Sequence, residues 1–448
     1  MFASDSECDL KRSPMGWGAS VRHRQANCRK GFAVTLNFEI PQIISVDDHV
    51  MEPPDLWTSR APASIVDRVP RLVRSAQRHT WKHGRLEETV GTGRPGEEWD
   101  VWVYEDYKFP LYEALAAAGT ASNLIDNGPI RYADVRPGVK DQQARLQDMS
   151  TNHVDAAACF PNTLPRFCGQ TFAERSDREL ALWSLHAYND WLIDDWCGGL
   201  GRGRLIPVAV APLWDADLAA QEVERCAAKG SFAMSFSENP TMLKLPSVYT
   251  GYWDPFFKAC AETATTLCIH VGSSSHVHST CPEAPFILGS TMAYVASMGS
   301  LLDMIFSGVL ERFPNLKVMF SEGQAGWMPY LLEQADKFWS HRGNNNLGSD
   351  LPNPPSSYIP QRIYACIYDD DTALRERNVI GMDQICYETD YPHADGSFPH
   401  TLANVEKMVA NAGLTELETY KLVRGNAIDA FGLERFGFER THAARSAG

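Results

Sequence analysis

Acidic and imidazole side chains follow several short apolar runs of this chain, at the point where each run ends. In chain order these side chains are Asp47 and His49, His270, Glu322, and Asp390 with His393. Carboxylate oxygens and imidazole nitrogens are ligands that divalent transition metals take in proteins. If the fold gathers these ends at one place, they form a site for one or two ions of zinc, manganese or iron.

The apolar runs alternate with helix-like patterns from residue 141 onward, and the run at 42–47 comes before them. The pattern predicts eight strands, at residues 42–47, 154–160, 204–211, 232–236, 266–270, 316–320, 362–367 and 384–389. Continuous apolar strands separated by helices are typical of a closed parallel barrel. A doubly wound open sheet is the alternative, but no glycine-rich phosphate loop follows the first strand. The sequence therefore predicts an α/β fold, a (β/α)8 TIM-like barrel with an insertion after strand one.

The strand ends of such a barrel converge on its C-terminal face. Asp47 and His49 lie two residues apart on an extended segment, so their side chains point to the same side. His270 comes from strand five, Glu322 from strand six, and Asp390 from strand eight. The topology therefore predicts that these residues meet in one polar site.

Three parts of the chain differ in their patterns. Residues 1–38 are rich in charges, lack a long apolar run and are predicted to be a disordered N-terminal tail. Residues 39–436 are the predicted barrel domain, and residues 437–448 a frayed C-terminus. Within the barrel domain, periodicity is lost over residues 53–140. Because a loop of that length is improbable in a compact domain, we expect a capping insertion there.

The insertion is rich in aromatic residues, including Trp99, Trp102, Tyr104, Tyr107 and Phe109. These rings either line a site for an apolar ligand or pack the insertion onto the barrel. Packing is the more general tendency of aromatic side chains.

Composition excludes several classes of protein. The chain has 448 residues, of which 44% are hydrophobic, so it is not a disordered protein. A formal charge of -15 argues against nucleic-acid or anionic-membrane partners. The 11 cysteines are scattered without a C-x-x-C pair, which indicates reduced thiols and a cytoplasmic protein. No apolar run is long enough to cross a membrane. We expect a small-molecule substrate and a homodimer.

Four motifs in this order resemble the amidohydrolase-related family of metal-dependent barrels. They lie at residues 45–53, 270–274, 321–327 and 388–393. The resemblance extends over residues 42–435 and implies a barrel of the metal-dependent hydrolase type. It also implies either a metal-dependent hydrolase or a non-oxidative decarboxylase of aromatic or unsaturated acids.

The resemblance assigns roles to individual residues. Asp47 and His49 match the ligands that the family carries on strand one, and His270 matches the ligand on strand five. Asp390 matches the strand-eight ligand, which also handles the proton of the attacking water. Glu322 departs from the pattern, because decarboxylases of the family carry a histidine on strand six. The family also includes a non-heme diiron monooxygenase of a terpenoid acyl thioester, with which a carboxylate-rich set is compatible.

Hydrolysis is the first hypothesis for the reaction. In it a metal-activated water attacks a carbonyl of a small organic substrate, Asp390 accepts the proton, and His393 assists at the oxyanion or the leaving group. Glu322 is a further catalytic candidate and, with Asp47, His49, His270 and Asp390, a metal ligand. The alternative is diiron hydroxylation of an apolar acid or acyl thioester, and a second alternative is decarboxylation. A barrel that only binds is disfavoured by the intact ligand set.

Overall fold

The computed structural model describes residues 36–82, 85–91, 96–121, 124–125, 128–341 and 350–440. From Phe38 onward they form one compact unit. The predicted tail lies outside the described residues up to residue 35, and the last eight residues of the predicted frayed end also do. The described strands, numbered in chain order, are β1 (Ile43–His49), β2 (Arg71–Ser75), β3 (Gln77–Lys82), β4 (Arg85–Val90), β5 (Trp99–Tyr104), β6 (Tyr107–Pro110), β7 (Val154–Phe160), β8 (Leu205–Val210), β9 (Ala233–Ser237), β10 (Thr266–His270), β11 (Val318–Ser321), β12 (Ile363–Ile367) and β13 (Ile385–Tyr387).

Eight of these strands form one parallel sheet in the order β1-β7-β8-β9-β10-β11-β12-β13. Every residue of β1, β8 and β10 is buried, as in a parallel sheet covered on both faces. All eight predicted strands are present, with ends shifted by at most two residues. The (β/α)8 barrel prediction is confirmed.

Backbone hydrogen bonds join the first strand of the sheet to the segment after the last. The Asp390 N–H donates to the Asp47 carbonyl over 3.0 Å, and the His49 N–H donates to the Tyr391 carbonyl over 2.7 Å. Thr389 N–H donates to Ser45 Oγ over 2.9 Å. These bonds bring the two ends of the sheet together and place Asp390 beside Asp47 and His49.

Helices connect the strands along the outside of the barrel. Those of seven or more residues are Gln142–Thr151, Arg178–Asp190, Ala216–Ala228, Asp254–Thr263, Phe286–Met292, Tyr294–Phe306, Met328–Ser340 and Thr401–Ala412. Aspartates cap the first three: the side chains of Asp141, Asp177 and Asp215 accept hydrogen bonds from backbone N–H groups of the first turn. None of the described helices combines the length and the apolar character that a membrane crossing requires.

The insertion after β1 contains strands that the sequence pattern did not predict. Strands β2, β5 and β6 form an antiparallel sheet, and β3 with β4 forms a hairpin. Polar and charged residues such as Arg78, Glu87 and Glu88 interrupt the alternation that marks a half-buried strand, so the hairpin has no apolar periodicity.

The large rings of the insertion pack it against the barrel. Trp102 is fully buried and meets Trp57 edge to face, with ring centroids 5.2 Å apart. Trp57 Nε1 donates to the Ser184 carbonyl on the helix Arg178–Asp190. Tyr104 is also fully buried and contacts Phe172, with centroids 6.0 Å apart. For these rings packing is the observed role.

A buried asparagine ties the C-terminal helix Asn426–Phe431 to the start of β13. Asn426 Nδ2 donates to the carbonyls of Met382 and Ile385, both over 2.7 Å. The substitution Asn426→Ala removes the donor from both buried carbonyls. We expect it to lower the free energy of unfolding by about 1–3 kcal/mol, measured as a lower thermal midpoint. Asn411→Ala, at an exposed helix position, is the control and should change it by less than about 0.5 kcal/mol. Equal midpoints for the two variants would contradict this role.

Candidate metal centre

Two histidines at the barrel mouth present unprotonated nitrogens to the same point. His49 Nδ1 lies 3.1 Å from the Pro161 carbonyl, and His270 Nδ1 lies 2.6 Å from the Val271 carbonyl. Because a carbonyl only accepts, Nδ1 carries the proton in each ring and Nε2 keeps its lone pair. The two Nε2 atoms are 3.3 Å apart. Two lone pairs this close favour a shared cation.

The Asp47 carboxylate completes the core of this arrangement. Its Oδ1 is 3.4 Å from His49 Nε2, and its Oδ2 is 3.4 Å from His270 Nε2. Asp390 Oδ1 lies 3.5 Å from His49 Nε2 on the other side. Among the described residues, no hydrogen-bond donor satisfies either Asp47 oxygen, and both oxygens are buried. Buried carboxylates without donors are costly unless a cation pairs with them, so the residues fit a divalent metal.

Glu322 approaches the centre from the more open side. Its Oε2 is 3.5 Å from His270 Nε2, and its side chain is 25% exposed, whereas His270 is fully buried. Glu322 has a φ of 56° and Asp390 a φ of 49°, in the left-handed region that costs energy for residues other than glycine. Both predicted ligands therefore sit on strained backbone, as residues at functional sites often do.

His393 contacts the ligands from the loop after β13. Its ring stacks on that of His49 with centroids 3.9 Å apart. Its Nδ1 is 2.8 Å from Asp390 Oδ1, and its Nε2 is 3.1 Å from Asn162 Oδ1. His393 thus holds the orientation of Asp390. The structure places all six predicted residues together at one end of the barrel.

The insertion reaches the loop that carries His393. Ala118 N–H donates to the Pro392 carbonyl over 3.0 Å, and Ala394 N–H donates to the Ala114 carbonyl over 2.8 Å. Asn162 Nδ2 donates to the Leu115 carbonyl over 2.9 Å. Residues 114–118 therefore form part of the mouth of the barrel.

Asp48 and Arg145 support the centre from behind, and the sequence analysis did not select either of them. Asp48 points away from the histidines, because neighbouring strand residues alternate sides, and it accepts hydrogen bonds from Ser45 Oγ and Thr389 Oγ1. Arg145 is fully buried and donates to the His49 carbonyl over 2.5 Å. The two consecutive acids before His49 could have pointed to Asp48 in the sequence. No local sequence pattern points to Arg145.

Glu388 and Cys366 were also missed. Glu388 is fully buried, and its Oε2 accepts from the Glu322 N–H over 3.2 Å and contacts Cys366 Sγ. Glu388 stands two residues before Asp390, and that spacing was the available signal. Cys366 sits inside an apolar run, where a cysteine usually indicates only packing.

Burial and mutual repulsion control the protonation of the site. Burial, followed by the charges of neighbouring carboxylates, raises the pKa of Asp47, Glu322 and Asp390 well above the ordinary range. Burial lowers the pKa of His270 to about 3 and that of His49 well below its usual value. Neutral imidazoles are the form that binds metals. For the carboxyl groups the same burial favours the protonated form, so a metal ion competes with protons for their oxygens.

These pKa directions predict how pH changes the effect of a metal on stability. Without a metal, a carboxyl group whose pKa is raised by folding stabilises the fold below its unfolded pKa, near about 3.9, and that contribution is lost as the pH rises through the folded pKa. A bound ion offsets the loss by pairing with the deprotonated groups. We therefore expect the gain in melting temperature on adding Mn²⁺ to grow as the pH rises from about 5 toward neutrality.

The control for this measurement is Asp47→Asn, which removes the carboxylate that faces both imidazoles. This variant should show a smaller gain and a flatter pH dependence. If the gain in melting temperature on adding Mn²⁺ to the unaltered protein does not change with pH, the assignment of these carboxyl groups as metal ligands is wrong.

Comparisons with known proteins agree with the fold and identify a family. The sequence model of the family described as amidohydrolase matches residues 76–433. The 2-amino-3-carboxymuconate-6-semialdehyde decarboxylase of Dictyostelium discoideum is 24% identical over 324 residues, covering 70% of this chain and 82% of that protein. The γ-resorcylate decarboxylase of Polaromonas sp. is 24% identical over 245 residues, covering 51% of this chain and 70% of that protein.

Solved structures share the barrel. An amidohydrolase from Mycobacterium avium subsp. paratuberculosis superposes with a TM-score of 0.63 at 22% identity, covering 89% of this chain and 100% of that one. A dihydroxybenzoic acid decarboxylase from Polaromonas sp., solved with manganese and 2-nitroresorcinol, has a TM-score of 0.56 at 16% identity, covering 88% and 98% of the two chains. The resemblance seen in the motifs is confirmed. With a family match over most of its length, this chain belongs to the amidohydrolase family.

Proposed function

We propose that this chain is a metal-dependent decarboxylase of an aromatic or conjugated carboxylic acid. The observation that carries the proposal is the set Asp47, His49, His270 and Asp390, converging in a chain whose two curated relatives named above are both decarboxylases. The sequence analysis favoured hydrolysis first; the relatives favour decarboxylation instead.

Asp47, His49, His270 and Asp390 would hold the ion, and manganese is the candidate drawn from the related decarboxylase structure. When bound, a divalent ion supplies Lewis acidity, which orients a substrate carboxylate and a neighbouring oxygen and stabilises negative charge. The protein must then supply a proton to the carbon that loses CO2, since the electron pair of the broken C–C bond stays on that carbon.

Glu322 is the candidate for this proton donor. It directly follows β11, the sixth strand of the barrel, where the family's decarboxylases carry a histidine, and its partly exposed side chain lies beside His270. A protonated carboxyl group can donate as an imidazolium does. Burial and the nearby Asp390 charge raise the pKa of Glu322, which favours the protonated form.

The wall of the site suits a flat substrate. The half-buried ring of Phe167 stacks on His270, with centroids 4.2 Å apart and planes at 15°. Gly272 leaves room for this ring, because an added Cβ would lie 3.1 Å from it. Aromatic faces favour planar, conjugated ligands through offset stacking.

Hydrolysis is the second candidate. The observation that favours it is the 2.8 Å separation of His393 Nδ1 from Asp390 Oδ1. A carboxylate oriented in this way would accept a proton from water, as a general base does. Oxygenation at two irons rests only on the carboxylate-rich composition of the set.

The reaction class is tested with metal-loaded protein and a panel of acids, including γ-resorcylate and 5-carboxyvanillate. We expect CO2 release, with one deuterium bound to the product carbon when the reaction runs in D2O. Chelation of the metal and His270→Ala should each abolish turnover, while His341→Ala, at an exposed position, should keep it. Cleavage of esters or amides without CO2 release from any acid would replace this proposal with hydrolysis.

The role of Glu322 is tested by Glu322→Gln, which keeps the shape of the side chain and removes the acidic proton. We expect the decarboxylation rate constant to fall by about 10²-fold or more, with metal content unchanged. Glu333→Gln, on the exposed face of the helix Met328–Ser340, is the matched control. A loss of metal in Glu322→Gln that added manganese reverses together with activity would make Glu322 a ligand only.

A further inference from the structure

A second group of potential ligand atoms shares Asp47 with the metal centre. Asp47, Cys366 and Glu388 each offer one such atom, and these atoms lie within 4.8 Å of one another. The three residues belong to or directly follow different strands, namely β1, β12 and β13. All three are completely buried.

Several oxygens of this group accept no hydrogen bond from the described residues. Among the described residues, nothing donates a hydrogen bond to Glu388 Oε1 or to either Asp47 oxygen. No described lysine or arginine forms an ion pair with Asp47 or Glu388 at the usual distances; the pairs of Asp47 are with His49 and His270 only. Carboxylates buried without a donor or a cation are rare, because desolvation costs several kcal/mol per ion.

The other atoms of the group are already in place for a ligand. Glu388 Oε2 accepts from the Glu322 N–H over 3.2 Å, so Oε1 is left as the coordinating oxygen. Cys366 Sγ also accepts from the Glu322 N–H, over 3.1 Å, and its S–H donates to Glu388 Oε2, so an ion at this group would take the place of the thiol proton. Asp47 has two oxygens, which allows one carboxylate to face both the histidines and this group.

We propose a second divalent transition-metal site formed by Cys366, Glu388 and Asp47, in which Asp47 bridges to the ion held by His49 and His270. The thiolate selects a zinc-, cobalt- or iron-like ion over magnesium or calcium, since soft sulfur ligands favour the former. This site would also act on the reaction centre, because both Glu388 and Cys366 contact the backbone N–H of Glu322. Loading of the second ion would then hold Glu322 in its left-handed conformation.

The test uses the full-length protein, stripped with a chelator and reloaded with Co²⁺ alone, so it does not depend on any substrate. We expect two cobalt ions per chain and a thiolate-to-cobalt charge-transfer band in the near ultraviolet. Cys366→Ser and Glu388→Gln should each bind one ion fewer, and Cys366→Ser should lose the band. His49→Ala should lose the first ion and keep the band.

Cys386→Ser is the matched control, because Cys386 is equally buried on β13 but stands outside the group. It should keep both ions and the band. One ion per loaded chain without the band in the unaltered protein would overturn the proposal, whatever the variants do. Two ions in Glu388→Gln with an unchanged band would also overturn it. Failure of decarboxylation would leave these results unaffected, so the two proposals can be rejected separately.

Discussion

Two backbone hydrogen bonds at the closure of the barrel are the constraint on which the metal centre depends. They join Asp47 to Asp390 and His49 to Tyr391, and so they set the distance between ligands that stand more than three hundred residues apart. Asp48 and Arg145 strengthen this closure from behind, through Thr389 and the His49 carbonyl. Any substitution that separates β1 from the segment after β13 would move Asp47 and His49 away from Asp390, even if none of these three residues is changed.

The centre concentrates negative charge where water is excluded. Asp47, Glu322, Glu388 and Asp390 lie together, and the charges of Glu388, Asp390 and Glu322 each add to the effect of burial in raising the pKa of Asp47. A fold built only for stability would place apolar side chains here. The strained backbone at Glu322 and Asp390 also indicates a functional site, because such strain is found mainly at functional sites, where the surrounding structure maintains it. The buried carboxylates therefore lower the stability of this face of the barrel, and a divalent cation paired with them would offset that loss.

The insertion contacts the loop that carries His393. Its tryptophans are used in packing against the outer helices, yet its segment 114–118 meets the loop after β13 through backbone hydrogen bonds. Movement of the insertion would therefore reach His393 and Asn162 directly. The ring of Phe167 lies beside the same centre, stacked on His270.

The sequence by itself determined the barrel and selected the polar residues that the structure brings together at its mouth. Buried parallel strands are continuous apolar runs, and a polar residue at the end of such a run is visible without any knowledge of the fold, as with Asp47, His270 and Asp390. The mixed composition of β3 and β4 concealed the hairpin, because strands with one wet face and few apolar residues have no readable period.

Only the tertiary structure decided which polar residues share a contact. Glu388 and Cys366 lie in apolar runs where their neighbours are core residues, and their contact with each other and with the Glu322 N–H arises from the pairing of β12 with β13. Arg145 acts across nearly a hundred residues of sequence, and no local pattern records such a contact. The direction of the two imidazoles was likewise set by the carbonyls of Pro161 and Val271, since the proton position in a histidine depends on what its other nitrogen meets in space.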